Sequence, residues 1–468
     1  MRANIVMRLL LGICCVGANL LAQHEHMHDM KPAPTMNETP VVDLLQDAAK
    51  RPPMGLEQFQ QYALQGNPTL VAANAFVRRS AAQARQAGLY PNPSVGYQGE
   101  QIRGGAFSGG EQGAFAQQTF VLGGKLRLRR NVYEQQRRAD EIGVEEQRYR
   151  VLSDIGQSFY SALAAEQIVN VRKKLLELAA DAVVTARQLA NVGQADAPDL
   201  LQAEVEAEQA KVDYTTAQRT YLQSFQRLAA VAGKPELEIT FLAGHLDEPP
   251  RIDMQQALNQ IVKNSPELKR AQQELARAEA EIKSAKRESV PDLVVRGGVQ
   301  QNFEPINETT ALRTGVQAFA SAGISLPIFN RNQGNVAAAN ADLERARAEV
   351  SRIQLSLRQS GQMLLQDYLS TEAEAVRYKT EMIPRAARAY QLYLAKYQQM
   401  GAAYPQILIS QRTYFQLQVG YINALKGVWS TAIALQNFTL SSGLSAPARS
   451  GNFSTTINLP SASGSGGQ

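Results

Sequence analysis

Residues 291–326 read PDLVVRGGVQQNFEPINETTALRTGVQAFASAGISL. Leu293, Val295, Gly297 and Val299 fall on one side of an extended chain, and Val294, Arg296, Gly298 and Gln300 on the other. That two-residue period is the signature of a strand. A turn-rich stretch, Glu304-Pro305-Ile306-Asn307, follows, and the alternation then returns. Val316, Ala318, Ala320, Ala322, Ile324 and Leu326 alternate with Gln317, Phe319, Ser321, Gly323 and Ser325. Each arm is about ten residues or more, enough to cross a bilayer when tilted. The segment is therefore expected to be a membrane-length β-hairpin.

This hairpin belongs to a unit written twice. Residues 56–93 carry Gly66-Asn67-Pro68-Thr69-Leu70 and end in Tyr90-Pro91-Asn92-Pro93; residues 254–291 carry Ser265-Pro266-Glu267-Leu268 and end in Val290-Pro291. Pro68 and Pro93 are 25 residues apart, as are Pro266 and Pro291. Further on, Gly193-Gln194-Ala195-Asp196-Ala197-Pro198 parallels Gly401-Ala402-Ala403-Tyr404-Pro405. In both copies a helix-like stretch (56–88, 254–288) precedes the hairpin. In the first copy the hairpin loop is Gly104-Gly105-Ala106-Phe107-Ser108-Gly109-Gly110. Such a register held over a long period marks duplication.

Turns rich in Gly and Asn (Leu122-Gly123-Gly124-Lys125, and Phe329 to Gly334) end the second strands and open very long helices. Between 125 and 191 there is no proline, and the only interior glycines are Gly143 and Gly156. That helix would be ~100 Å long. In the second copy Val336, Ala339, Leu343, Ala346, Val350, Ile353, Leu357 and Leu364 keep a 3-4 spacing interrupted by Ser360, a coiled-coil seam. Gly193 and Gly401 should reverse the chain, Pro198 and Pro405 restart it as an antiparallel helix, and Pro384 should kink the second long helix. The boundaries expected are a signal peptide at 1–22, a loosely ordered tail at 23–53, repeats at 54–240 and 254–440, a linker at 241–253 and a Gly/Ser-rich tail at 441–468.

The 468 residues include 48 Lys+Arg and 43 Asp+Glu, with charged residues at 19%. Mean hydropathy is −0.28, which excludes a polytopic helical membrane protein. It does not exclude a β-barrel, whose strands are short and half apolar. An excess of five positive charges without a basic, aromatic-studded stripe excludes nucleic acid as a partner. Arg2 and Arg8, the apolar run 9–16, and cleavage-type sequences ending at Ala18 or Ala22 point to export. Cys14 and Cys15 lie inside that segment, and Ile13 is a poor residue to precede a lipidated Cys14.

Four membrane-length strands cannot close a barrel, and open edges are not tolerated in lipid. Other copies of the chain must complete the wall, and three copies would supply twelve strands with a ring of twelve long helices. The expected fold class is an α+β membrane protein: a long α-helical coiled-coil barrel continuous with a transmembrane β-barrel, four strands per chain and twelve per trimer.

Asn67-Pro68 with Leu70, Tyr90-Pro91-Asn92-Pro93-Ser94-Val95, Gln118-Thr119-Phe120-Val121-Leu122-Gly123-Gly124-Lys125, and Leu326 to Gly334 resemble motifs of the TolC-type outer-membrane efflux proteins. The resemblance covers about residues 54–440. It is nearest to the heavy-metal branch, the CzcC and CusC type, whose Gln-Thr-x-Glu-Leu-Gly-Gly-Lys-Arg pattern is matched except at Val121 and Leu126. The resemblance implies a homotrimer in the outer membrane of a Gram-negative cell, with helices in the periplasm. It also implies a periplasmic adaptor (membrane fusion protein), an inner-membrane RND transporter, and adaptor contacts at the hairpin tips, Val192, Gly193 and Gln194 and Met400, Gly401 and Ala402. The function expected is a passive exit duct for heavy-metal cations. The alternatives are a drug-efflux or type I secretion duct of the same fold, or a secreted coiled-coil scaffold.

His24, His26 and His28, with Met27 and Met30, form a candidate soft-metal tract, since imidazole and thioether suit Cu, Zn and Ni. His245 is expected to be a solvated linker residue. No Gly-x-Ser-x-Gly, Walker-type loop or His-Glu-x-x-His occurs, so neither enzymatic activity nor a cofactor is expected.

Overall fold

The computed structural model describes residues 43–102, 109–192, 196–305, 313–398 and 404–447. The first half runs β1 (Met54–Gly55), α1 (Leu56–Gly66), α2 (Pro68–Ala87), β2 (Ser94–Glu100), β3 (Glu111–Phe120), α3 (Lys125–Asn191) and α4 (Ala197–Val231). The second runs β4 (Leu242–Ala243), α5 (Met254–Asn264), α6 (Pro266–Arg287), β5 (Leu293–Pro305), β6 (Arg313–Ile324), α7 (Gln333–Arg377), α8 (Ile383–Gln398) and α9 (Tyr404–Gln436). The same order of elements thus occurs twice.

The helix-like stretches before the hairpins are each two helices rather than one. Pro68 and Pro266 have no N–H to continue a helix, yet their fixed φ suits the first position of a new one. Asn67, buried, caps α2 by accepting a 2.9 Å hydrogen bond from Thr69 N, and Asp253 caps α5 by accepting one from Gln256 N at 3.0 Å.

The hairpins join in one antiparallel sheet of order β2-β3-β5-β6. At its foot the chain must swing from strand into helix. Gly123 and Gly124 do this with φ of +69° and +71°, and a Cβ on Gly123 would lie 3.0 Å from the Val290 side chain. In the second half Asn332, φ +63°, takes the left-handed position that Asn tolerates, and its Nδ2 donates to Ala285 O at 2.8 Å.

From Lys125 to Asn191, α3 runs 67 residues without a break, ~100 Å. The aromatic core sits midway along it: Phe159 of α3, Phe59 of α1, and Tyr221 and Phe225 of α4 are fully buried. The ring of Phe59 lies 6.1 Å from both Phe159 and Phe225. Trp429 of α9 stacks on Tyr160 at 3.6 Å. Gly156 lets α9 approach α3, since a Cβ there would meet Ile433 at 3.1 Å.

Four features depart from the sequence expectations. On α7 the seam holds to Leu357, with Ala339, Ala346, Ile353 and Leu357 buried, but the next buried positions are Gly361 and Leu365, not 360 and 364. The 4-4 step is a stutter, which locally unwinds a coiled coil. It falls where α5 packs, and a Cβ on Gly361 would lie 3.1 Å from Leu258. Secondly, Pro384 is preceded by a π-helical turn, Tyr378–Met382; widening the turn accommodates a ring that would clash with the carbonyl four residues earlier. Thirdly, the segment 43–53, expected to be a loose tail, is packed. Leu45 and Ala48 are buried, Asp43 accepts from Gln218 Nε2 at 2.8 Å, and Arg51 donates to Ile239 O at 2.7 Å. It leads into β1, which pairs with β4 in parallel. Fourthly, the first residues of the expected Gly/Ser tail dock on α3, Gly443 N donating to Asp154 Oδ2 at 2.6 Å.

The two glycines inside α3 should respond oppositely to substitution. Gly156→Leu overpacks against Ile433 and should cost about 1–3 kcal/mol. Gly143, where an added Cβ would find only Arg270 Cδ at 3.8 Å, should gain about 0.5–1 kcal/mol as Ala. Thermal unfolding followed by helical circular dichroism reads both; a Gly156→Leu midpoint at or above that of the parent would contradict the close α3–α9 packing.

Candidate functional site: a two-faced sheet above paired helical hairpins

The register of the sheet sorts its side chains into two sets. One face carries Val95 and Tyr97 on β2, Ala114, Ala116 and Phe120 on β3, Leu293, Val295 and Val299 on β5, and Val316, Ala318, Ala320, Ala322 and Ile324 on β6, with Gln112, Gln118 and Gln301 toward its ends. Several of these are strongly exposed in the single chain, among them Val95 at 81% and Val316 at 77%. The other face carries Ser94, Gln98 and Glu100, Glu111, Phe115, Gln117 and Thr119, Arg296, Gln300 and Asn302, and Gln317, Phe319 and Ser321. Glu111 is engaged on this polar face by Asn302 Nδ2 at 2.9 Å and by Gln300. The alternation read in 293–300 and 316–324 is therefore the alternation of the folded sheet. The outer edges of β2 and β6 have no strand partner among the described residues.

An exposed apolar face of this extent is matched by lipid or by another protein surface. Two open edges add that the backbone must find partners outside the chain. No helix of the described residues is long and apolar enough to cross a membrane.

The sheet is fixed to the helices by a residue that sequence reasoning missed. Lys125, first residue of α3, is buried. Its Nζ pairs with Asp292 Oδ1 at 2.6 Å and donates to Val290 O at 2.9 Å, while Leu122 N donates to the same Asp292 oxygen. The strand-to-helix turn of one half is thus clamped to the helix-to-strand turn of the other. The Lys in Leu122-Gly123-Gly124-Lys125 was the available signal, but its partner lies 167 positions away. Lower down, buried Glu146 joins Arg150 at 2.5 Å and Arg270 at 2.7 Å. Burial first, and then the charge of Glu146, raise the pKa of the neighbouring Glu267 carboxyl.

At the far end of α3 and α4 the two helical hairpins lie against each other. Tyr404 at the start of α9 packs between Ala186 of α3 and Ala203 of α4, 5.9 Å from the ring of Tyr397 on α8. Its hydroxyl has no hydrogen-bond partner among the described residues. Burial above all, with Tyr397, Glu206 and Asp199 nearby, pushes its pKa up to about 12. Arg412 of α9 pairs with Glu206 of α4, and Arg172 joins Asp213 at 2.9 Å. Tyr404, Glu206, Arg412, Arg172 and Asp213 line a cavity of about 380 Å³ between the hairpins. Of the expected tip residues, Val192 ends α3 and is 67% exposed. Gly193 and Gln194, and Met400, Gly401 and Ala402, lie outside the described residues, as does the tract from His24 to Met30 with Met27, His26 and His28. His245 is exposed. Among the described residues no group of three or more His, Cys, Asp or Glu is placed to hold a metal ion.

The family model described as "Outer membrane efflux protein" matches residues 60–234 and 257–439. The cobalt-zinc-cadmium resistance protein CzcC of Cupriavidus metallidurans is 26% identical over 383 residues, covering 82% of this chain and 89% of that protein. The nickel-cobalt-cadmium resistance protein NccC of Alcaligenes xylosoxydans xylosoxydans is 24% identical, covering 66% and 68%. In fold, the chain is similar to the transmembrane channel protein CusC, with a TM-score of 0.70, 18% identity, and 88% and 99% of the two chains covered. It is also similar to the outer membrane protein VceC of Vibrio cholerae, with a TM-score of 0.66, 16% identity, and 82% and 96% covered.

The two faces can be told apart with neighbouring residues of β6. In outer-membrane fractions, Ser321→Cys should react with a membrane-impermeant thiol reagent, and Ala320→Cys should be protected until the lipid is removed. Equal labelling of both would contradict the assignment of the faces.

Proposed function

The chain belongs to the outer membrane efflux protein family, and from that premise we propose that it is the exit duct of a tripartite heavy-metal efflux system. Three copies close a twelve-stranded barrel in the outer membrane, the apolar sheet face toward lipid and the polar face toward a water-filled lumen. The long helices continue that lumen into the periplasm. An adaptor docks at the hairpin tips, Val192-Gly193-Gln194 and Met400-Gly401-Ala402, and an inner-membrane RND transporter supplies the energy. The duct is passive, so its side chains need not perform catalysis.

The observation that carries this reading is the two-faced sheet with both edges open. Lipid explains the apolar face, water the polar one, and neighbouring copies the edges. The metal cargo is supported by the names of the relatives, two of which are resistance proteins for cobalt, zinc, nickel or cadmium. We further propose that residues 1–22 are removed on export, and that 54–240 and 254–440 are two copies of one unit joined by 241–253. The tract at His24, His26, His28, Met27 and Met30 would then lie near the mature N-terminus, where its imidazoles and thioethers are proposed to bind soft metal ions.

Deleting the gene should lower tolerance to cobalt, zinc or cadmium severalfold, with the parent gene restoring it. Gly401→Trp, which blocks close approach at the tip, should fail to restore tolerance although its oligomer remains in the outer membrane. Unchanged metal tolerance with lost drug tolerance would refute the metal cargo. Restoration by Gly401→Trp would refute the tip contact.

A further inference from the structure

The two halves of the chain correspond by two fixed offsets, one before each hairpin loop and one after it. Pro68 and Pro266, and Pro93 and Pro291, differ by 198 positions. Helices α1 (Leu56–Gly66) and α5 (Met254–Asn264) keep that offset at both ends. Gly124 and Asn332, the left-handed residues that open α3 and α7, differ by 208, as do Gly193 and Gly401. The hairpin registers obey both offsets. Val95 pairs with Ala116, and Leu293, 198 positions after Val95, pairs with Ile324, 208 after Ala116. The halves are thus equivalent residue by residue at the foot of the sheet, and the joint between them is a template for a joint to another copy.

Inside the chain β3 pairs with β5, Phe120 opposite Leu293, Gln118 opposite Val295 and Gln117 opposite Arg296, while α3 packs along α6. Polar side chains bind this inner joint. Lys125 pairs with Asp292 at 2.6 Å, Arg129 with Glu288 at 2.7 Å, and Arg270 with Glu146 at 2.7 Å; Gln273 Nε2 donates to Gln135 Oε1 at 2.6 Å. The offsets carry β3 and α3 onto β6 and α7, and β5 and α6 onto β2 and α2. The same joint between copies then sets Ile328 opposite Val95 of the next copy, Leu326 opposite its Tyr97 and Ser325 opposite its Gln98. Apolar side chains meet apolar ones and polar meet polar, whereas a slip of one residue would set each against the wrong face. The four apolar side chains are 60–81% exposed in the single chain.

We propose that copies meet by β6 and α7 of one and β2 and α2 of the next in this geometry, and that neutral contacts there replace the ion pairs of the inner joint. The inference rests on the proposed oligomeric duct and names how its copies meet. The offsets turn Arg129 and Glu288 into Ala337 and Tyr90, and Glu146 and Arg270 into Gln354 and Ala72. Gln135 and Gln273 become Leu343 and Ala75, and Lys125 and Asp292 become Gln333 and Ser94. None of these four pairs is ionic. Tyr90 and Ala337 are both exposed in the single chain, so a ring and a methyl group stand free where a carboxylate and a guanidinium bind inside. The difference has a physical reason. Within one chain the partner of a buried charge arrives with folding, but a face that waits for a second copy would have to strip water from each charge on docking. The wall therefore alternates ionic joints inside chains with neutral joints between them.

Disulfide formation between copies reads the register. Outer membranes carrying Tyr97→Cys together with Ile324→Cys, Leu326→Cys or Ile328→Cys are oxidised with copper phenanthroline and run on non-reducing gels, with the single-Cys variants as blanks. Residues directly opposite in an antiparallel pair have Cα atoms about 4.5–5.5 Å apart, within reach of a disulfide. The pair with Leu326→Cys should cross-link copies at least about fivefold more than either neighbour. A higher yield from Ile324→Cys or Ile328→Cys would overturn the register. For the helices, Tyr90→Glu should lower the fraction of oligomer that survives mild heating at least about threefold, and adding Ala337→Arg should return it to within about twofold of the parent. An oligomer unmoved by Tyr90→Glu, or a double variant no better than Tyr90→Glu alone, would overturn the neutral contact. If no pair cross-links although the parent is an oligomer by native mass spectrometry, the copies meet elsewhere and the inference fails alone. If the parent is a single chain, the proposed duct fails with it.

Discussion

A β-strand in hydrocarbon must have every backbone N–H and C=O hydrogen-bonded, because no water is there to replace a missing partner. The rest of this molecule follows from how four strands meet that demand. Within the chain β3 and β5 are satisfied on both sides, and β2 and β6 on one. One chain therefore supplies part of a wall rather than a wall, and the apolar face of that part is useful only when the wall is complete. In the proposed trimer, the polar residues spaced along the opposite face would give the closed wall a wet interior.

The helices are placed by the same sheet. Both strand-to-helix turns descend from its foot, and the Lys125–Asp292 clamp ties the turn of one half to the other, so that strands and helices form one continuous body. Below the clamp, Glu146 with Arg150 and Arg270 fills the space among α3 and α6. Such a buried pair is costly to break, at about 3–5 kcal/mol. Further down, small residues let the helices approach closely: Gly156 against Ile433, Gly361 against Leu258, and Ala186 and Ala203 around Tyr404. The surplus of alanine and the low charge content of the chain are the compositional trace of this packing.

Much of the sheet was legible in the sequence, because one face is mainly apolar and the other mainly polar, and the period of two is written in 293–300 and 316–324. The long α3 was legible for want of a proline over 67 residues. What could not be read depends on contacts between distant segments. Nothing local to Ser360 says that the buried stripe moves to Gly361, since the reason is α5 arriving from a hundred residues earlier. The segment 43–53 looks polar and aperiodic, and is ordered only because Gln218, Ile239 and β4 receive it. Arg296 was placed on the polar face correctly, but its seat on Phe115 needed the register of a neighbouring strand. The hairpin tips, named from resemblance, lie mostly outside the described residues.

Completion of the sheet by further copies of the same chain fixes the number of chains in the assembly. Native mass spectrometry of the oligomer, extracted from outer membranes in mild detergent, tests it most directly. A single species of three chains, hence twelve strands, is expected. A stable, monodisperse single chain in the outer membrane, its β2 and β6 edges without partners, would contradict it.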